Sequence, residues 1–210
     1  MIAIVDVCGD NLRSVAKALA AVGADAVVTS DPEVVRNADK IVVPGQGAFA
    51  PFMRGLVERG LEAPIRDAID AGTPYLGICL GLQVLFDESE EHGPVRGLAL
   101  IPGRVVRFRP EQHDIKVPHM GWNTIVQHAP DPYLIELTPL THYYFVHSYY
   151  AVPDDPSLVV LSSHHGEPFC AAVRAANIFA CQFHPEKSQQ AGLELLAAFV
   201  LSPTGAEAAP

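Results

Sequence analysis

Residues 72–83 read GTPYLGICLGLQ: an apolar strand-like run meets a Gly-x-Cys-x-Gly turn and continues as an apolar helix-like run. A cysteine kept only for packing needs no glycines beside it, whereas one presented at a crowded strand-to-helix turn does. This is the pattern of a nucleophile elbow, in which a tight turn forces the reactive side chain outward and small neighbours relieve the crowding. The start of the helix beneath Cys79 favours a thiolate through its dipole and its free N–H groups. A buried structural cysteine in a glycine-rich turn remains open from this stretch alone.

Working outward, the first half of the chain alternates strand and helix signals. IAIVDV (2–7), AVVTS (26–30), KIVVPG (40–45) and TPYLGI (73–78) are short apolar runs rich in β-branched residues. Helical patterns lie between them at 11–22, 48–58 and 61–71 and after them at 80–88. Asp10 or Asn11 caps the first helix and Gly23 ends it. Strands apolar throughout and separated by helices predict an open, mostly parallel sheet flanked by helices, an α/β fold. In the second half, 101–108, 113–123, 142–150, 158–165, 169–175 and 178–186 are strand-like, which predicts an additional antiparallel portion. A last helix at about 187–200 follows. The expected organisation is one domain over 1–201 and a disordered tail over 202–210.

Composition narrows the function classes. Lys+Arg 14 against Asp+Glu 24 gives a net charge of −10, which provides no electrostatic footprint for nucleic acid or an anionic membrane. MIAIVDV lacks the basic-then-apolar layout of a signal peptide, and no apolar run approaches the roughly 18 residues of a membrane span. Cys8, Cys79, Cys170 and Cys181 show no C-x-x-C spacing, and the nine histidines are scattered. Neither a disulfide framework, a metal site nor a cofactor is expected, and free thiols suit a reducing cytoplasm.

Two further stretches supply what a thiol nucleophile needs. In CQFHPEKS (181–188) a strand delivers His184 to its end and Glu186 follows two residues on. A cysteine nucleophile requires a base that takes its proton and returns it to the leaving amine, and that base requires an orienting group. In VPGQGAF (43–49) a strand ends in Pro-Gly-x-Gly, leaving backbone N–H groups to face a ligand, as an oxyanion hole requires. A surface histidine and an ordinary turn are the alternatives for each stretch taken singly. All three strand ends belong at the carboxyl edge of an open α/β sheet, where ligands bind.

At these residues the chain resembles the class I, triad-type glutamine amidotransferases over about residues 2–200. More narrowly, GDNLRSV (9–15), PGQGAF (44–49), ALIPGRV (99–105), KVPHMGWN (116–123) and YFVHSYY (144–150) resemble the glutaminase subunits of imidazole glycerol phosphate synthases. The resemblance implies a Cys79–His184–Glu186 triad that hydrolyses glutamine through a γ-glutamyl thioester. It implies an oxyanion hole from the Leu80 amide and the strand end at Gly45, Gln46 and Gly47. Glutamine would be bound by Gly47, Gln83, His147, Ser148 and Tyr149. The implied partner is a (β/α)8-barrel cyclase subunit that receives the ammonia to make imidazole glycerol phosphate and an aminoimidazole carboxamide ribotide in histidine biosynthesis.

A partner gives a use to Trp122, Met120 and Tyr144, since aromatic residues and Met are favoured interface anchors, although core packing would explain any one of them. Asn11 and Arg13 are expected on the same face. Against the resemblance stand Val7 and Cys8 before the first glycine and Gln46 in place of a small apolar residue. Cys8 is expected to be packed. A free-standing glutaminase, another amidotransferase subunit and a catalytically dead scaffold are the competing functions.

Overall fold

The computed structural model describes residues 1–7, 9, 12–113, 115–134, 137–138 and 140–204. The first half alternates as expected: β1 (Ile2–Val5), α1 (Leu12–Ala21), β2 (Ala26–Thr29), α2 (Pro32–Arg36), β3 (Lys40–Gly45), α3 (Phe49–Glu58), α4 (Glu62–Asp70), β4 (Tyr75–Cys79) and α5 (Leu80–Gln83). Next come β5 (Phe86–Ser89), β6 (Val95–Arg96), β7 (Ile101–Arg107), the single turn α6 (Pro110–His113), β8 (His119–Thr124) and β9 (Val126–Gln127). The chain ends with β10 (His142–His147), β11 (Tyr149–Pro153), β12 (Val159–His165), β13 (Glu167–Ala175), β14 (Ile178–Cys181) and α7 (Gln189–Leu201).

The main sheet has the strand order β2–β1–β3–β4–β14–β13–β12–β9. Its first five strands run parallel, and the last three are antiparallel. β1, β4 and β14 are buried at every position, because helices cover both faces. On one face Ala3, Val5, Ile41, Val43 and Tyr75 pack against Phe52 and Leu56 of α3 and Ile65 of α4. On the other, Ile2, Ile4, Val42 and Leu76 meet Val15 and Leu19 of α1 and Leu195 and Phe199 of α7. Alternate residues of one strand thus feed two separate cores. A four-stranded sheet, β11–β7–β5–β6, and a two-stranded ribbon, β10–β8, complete the molecule. Among the described residues no helix is long and apolar enough to cross a membrane.

Four expectations change. The predicted helix at 80–88 stops at Gln83, and 86–89 is a strand beside β7. The carbonyls of Val84, Leu85 and Phe86 accept from the N–H groups of Leu98, Leu100 and Ala99, respectively, so this segment pairs with a distant one in place of coiling on itself. The strand expected over 113–123 begins only at His119, since Pro118 has no N–H to offer a ladder. The run 142–150 divides at Ser148 into β10, paired with β8, and β11, paired with β7. The strand read over 178–186 leaves the sheet after Cys181 and ends in a 3-10 turn over Pro185–Lys187. The short helix α2 was not expected, although Asp31 accepting from the Glu33 N–H (2.9 Å), with Pro32 behind it, is a local capping signal. The caps expected of Asp10 or Asn11, the packing of Cys8 and the end of the tail over 205–210 lie outside the described residues.

One buried cation ties the last helix to the sheet. Lys40, at the start of β3, donates through Nζ to the carbonyls of Phe199 (2.6 Å), Val200 (2.8 Å) and Ser202 (2.6 Å) at the end of α7. These carbonyls lie past the last full turn, where the i+4 N–H groups run out; Ser202 donates to that of Phe199 through its N–H and hydroxyl, and the ammonium adds a charged donor that complements the helix dipole. Burial holds the ammonium below its ordinary pKa, and Asp39 opposes that shift. Replacing Lys40 by Met removes its donors from the Val200 and Ser202 carbonyls and is expected to lower stability by about 1–3 kcal/mol, read as a lower urea midpoint.

Candidate active site

Three strand ends meet at the carboxyl edge of the parallel strands. Gly45 lies opposite Cys79 and Ile78 opposite Cys181, so 45–47, Cys79 and 182–184 arrive side by side. Cys79 has φ 56 and ψ −103, a conformation that costs a non-glycine residue about 1–3 kcal/mol and is held only by its surroundings. The flanking glycines are the surroundings. A Cβ on Gly81 would lie 1.8 Å from the Val43 carbonyl oxygen, and one on Gly77 would lie 2.4 Å from the Gly81 carbonyl oxygen. One on Gly45 would lie 2.6 Å from the Leu80 Cβ. The buried Tyr75 hydroxyl donates to the Gly81 carbonyl at 2.7 Å and pins the turn from behind.

His184 is placed by the two backbones beside it. Its N–H donates to the Tyr144 carbonyl at 2.9 Å. The Ser188 hydroxyl donates to the His184 carbonyl (2.6 Å) and accepts from the Tyr144 N–H (3.0 Å). The 3-10 turn opened by Pro185 folds Glu186 back, so that its carboxylate meets His184 Nδ1 at 2.8 Å with both side chains buried. With Nδ1 taken, Nε2 is the nitrogen left for the sulfur. Burial disfavours the imidazolium, but Cys79 beside it and the bonded Glu186 carboxylate outweigh that effect and raise the His184 pKa to about 9. The other described thiols differ: burial pushes Cys170 up to about 12 and Cys181 well above the ordinary range.

These groups open into a cavity of about 470 Å³, a size suited to an amino acid. Cys79, Leu80, Gln46, Gly47, His184, Gln83, Tyr144, His147, Ser148 and Tyr149 all line it. Glu186 stands behind His184, and Gly45 precedes the wall. Met120 and Trp122 lie outside the cavity, on the exposed face of the β8–β10 ribbon, and Arg13 is exposed on the first turn of α1. Asn11 lies outside the described residues.

Three further residues belong to the site. Gln182, fully buried, donates to Cys79 Sγ at 3.5 Å and accepts from Gln83 Nε2 at 3.0 Å. Glu91 lines the cavity while its carboxylate accepts from the Phe49 N–H at 2.7 Å. Lys187 lines the cavity as well, and its ammonium lies 5.9 Å from the centre of the Tyr144 ring. Only Lys187 had a local signal, its place directly after the His-Pro-Glu run. Among the described residues no group of three His, Cys, Asp or Glu side chains gathers as a metal site.

Known proteins resemble this chain over nearly its whole length. The family model for class-I glutamine amidotransferases matches residues 3–202. The protein "Imidazole glycerol phosphate synthase subunit HisH" of Syntrophotalea carbinolica is 52% identical over 203 residues, covering 95% of this chain and 98% of that protein. The protein of the same name from Methanothermobacter thermautotrophicus is 50% identical over 200 residues, covering 95% and 98%. Among solved structures, a chain of PurLQS from Thermotoga maritima superposes with a TM-score of 0.73 at 19% identity, covering 94% of this chain and 96% of that one, which bears on the fold alone.

Two outcomes follow from the site. Gly81→Ala forces the elbow away from β3 and is expected to destabilise the chain by about 1–3 kcal/mol, seen as a lower thermal midpoint together with slower alkylation of Cys79. Because the His184 pKa is raised to about 9, the imidazolium's contribution to stability is complete below its unfolded pKa and is lost as the pH rises through about 9. Glu186→Gln removes one of the groups that raise it, so the His184 titration followed by NMR is expected to move to lower pH.

Proposed function

The chain belongs to the class-I glutamine amidotransferase family, and from that membership and its 50–52% identity to the two synthase subunits named above we propose that it is the glutaminase subunit of an imidazole glycerol phosphate synthase, supplying ammonia for histidine biosynthesis. The observation that carries this reading is the meeting of Cys79, His184 and Glu186 at the edge of one cavity. His184 Nε2 takes the Cys79 proton, and the thiolate attacks the side-chain carboxamide carbon of glutamine. The tetrahedral oxyanion is held by the Leu80 N–H, which as the first residue of a helix has no intrahelical acceptor, and by an amide of the 45–47 strand end. When the C–N bond breaks, His184 returns the proton to the departing nitrogen as ammonia. It then deprotonates a water molecule that cleaves the thioester to glutamate and frees Cys79. Glu186 holds the Nδ1–H tautomer and steadies the imidazolium.

The walls suit glutamine. Glu91 offers a carboxylate to the α-ammonium group, and Gln83, Gly47 and the backbone at His147, Ser148 and Tyr149 surround the rest. Three buried free thiols, Cys79, Cys170 and Cys181, support a reducing cytoplasmic setting.

The partner is a cyclase subunit, expected to be a (β/α)8 barrel, docked on the ribbon. Met120 and Trp122, 65% and 46% exposed, share one face of the ribbon with their cross-strand partners Val146 and Tyr144, both of which line the cavity. Trp122 meets Tyr144 edge-on at 6.0 Å. An exposed Met–Trp pair beside the cavity supports burial under a partner. Arg13 is a further candidate for that contact. Until the partner arrives, the glycine-flanked peptide at 45–47 keeps its oxyanion donor turned away; one missing donor slows the reaction by about 10²–10³.

Glutamate release is the test. The cyclase with its ribonucleotide substrate is expected to stimulate release strongly; equal activity of the chain alone would indicate a free-standing glutaminase, and none under any condition a dead scaffold. Cys79→Ala is expected to abolish hydrolysis while the complex still forms on gel filtration, and turnover surviving in that variant refutes the nucleophile.

A further inference from the structure

Two buried histidines, His147 in the cavity wall and His119 behind it, 28 residues apart, are joined by the β8–β10 pairing, which sets His119 opposite His147. His119 Nδ1 lies 3.0 Å from His147 Nε2, and His147 Nδ1 lies 2.9 Å from the Tyr149 carbonyl. The far nitrogen, His119 Nε2, lies 3.1 Å from Asn123 Nδ2. The same Nδ2 is 2.9 Å from the His164 carbonyl, and Asn123 Oδ1 accepts from the Thr124 N–H at 2.8 Å. Those two backbone partners settle which way the amide faces, since the carbonyl needs a donor and the N–H needs an acceptor.

The direction of every bond in the chain follows. Asn123 donates, so His119 Nε2 must be bare and Nδ1 must carry the proton. His119 Nδ1–H then donates to His147 Nε2, which must be bare in turn. His147 Nδ1–H donates to the Tyr149 carbonyl. The same carbonyl accepts from Gln83 Nε2 at 2.9 Å, and Gln83 gives its other proton to Gln182, whose amide reaches Cys79. One polarised path runs from the ribbon to the Tyr149 peptide, and a second runs from that peptide to the sulfur.

We propose that Asn123 is a positioning residue of the glutamine site: it imposes the tautomers of His119 and His147 and so holds the Tyr149 peptide in the cavity wall. Were the order reversed, His147 would turn a bare Nδ1 toward the Tyr149 carbonyl, and two lone pairs at that spacing repel. The peptide would shift, carrying with it the wall at Ser148 and Tyr149 and the acceptor for Gln83. Burial lowers the pKa of His119 to about 4 and that of His147 to about 3, so both are neutral at working pH and the tautomer carries the information. His165, stacked on His119 at 4.3 Å, holds that ring from the side without joining the chain of donors.

The proposal rests on the cavity being the glutamine site, and the test separates the two. Histidine ¹⁵N NMR of the chain alone is expected to show His119 and His147 neutral and protonated at Nδ1; a proton on Nε2 of either overturns the proposal, whatever the catalytic outcome. In the assembled synthase, Asn123→Asp presents only acceptors to His119 Nε2 and the His164 carbonyl. Its KM for glutamine is expected to rise about 10- to 100-fold with a much smaller change in kcat, while the His147 ¹⁵N signals move. His119→Asn, which keeps an N–H near the Nδ1 position, is expected to hold KM close to the original, and His119→Leu to match Asn123→Asp. An unchanged KM in Asn123→Asp and His119→Leu overturns the proposal. A wild-type synthase that releases no glutamate refutes the glutaminase reading and leaves the NMR result to stand by itself.

Discussion

The Val43 carbonyl occupies the place a Cβ on residue 81 would need, 1.8 Å away, and the rest of the site is arranged around that contact. Because Gly81 yields the space, α5 starts hard against β3, and the turn into it holds Cys79 at a positive φ. The same closeness brings Leu80 against Gly45, so the first amide of the helix and the end of the neighbouring strand face one cavity. Parallel pairing on the other flank then fixes how far β14 reaches before 182–184 leave the sheet. The elbow is therefore a property of three backbones in contact, with the thiol as its passenger.

Environment assigns different work to residues of one type. Cys79 opens onto the cavity beside an imidazole, whereas burial without such a partner holds the Cys170 and Cys181 thiols protonated. His184 faces a carboxylate and a sulfur and is drawn toward the charged form. His119 and His147 face an amide, a carbonyl and each other among aromatic rings, and are held neutral. Opposite shifts in rings of the same chemistry suit opposite tasks: moving a proton at one position and fixing its place at the others.

What could be read in the chain beforehand was whatever is encoded locally. Strands buried on both faces announce themselves as unbroken apolar runs, and the Gly-x-Cys-x-Gly turn and the His-x-Glu pair each lie within a few residues. The helix expected at 80–88 failed because LGLQVLF is apolar at either period, and only the distant 98–101 segment decides which carbonyls are free to continue a ladder. Gln182 was missed because a single polar residue after a strand carries no mark of its partners, Cys79 and Gln83. The histidines looked scattered along the chain, yet antiparallel register set two of them face to face. Glu91, arriving from a loop, had no local signature at all.

The Lys40 tether has a practical side. It sits at the amino end of β3, next to Asp39, whose carboxylate pairs with the Met1 ammonium. Residues 1 and 202 consequently lie at the rim opposite Cys79. A fluorophore or surface linkage placed on the side chain at residue 202 would start from that far rim, so immobilised material should keep the catalytic mouth open to the bath.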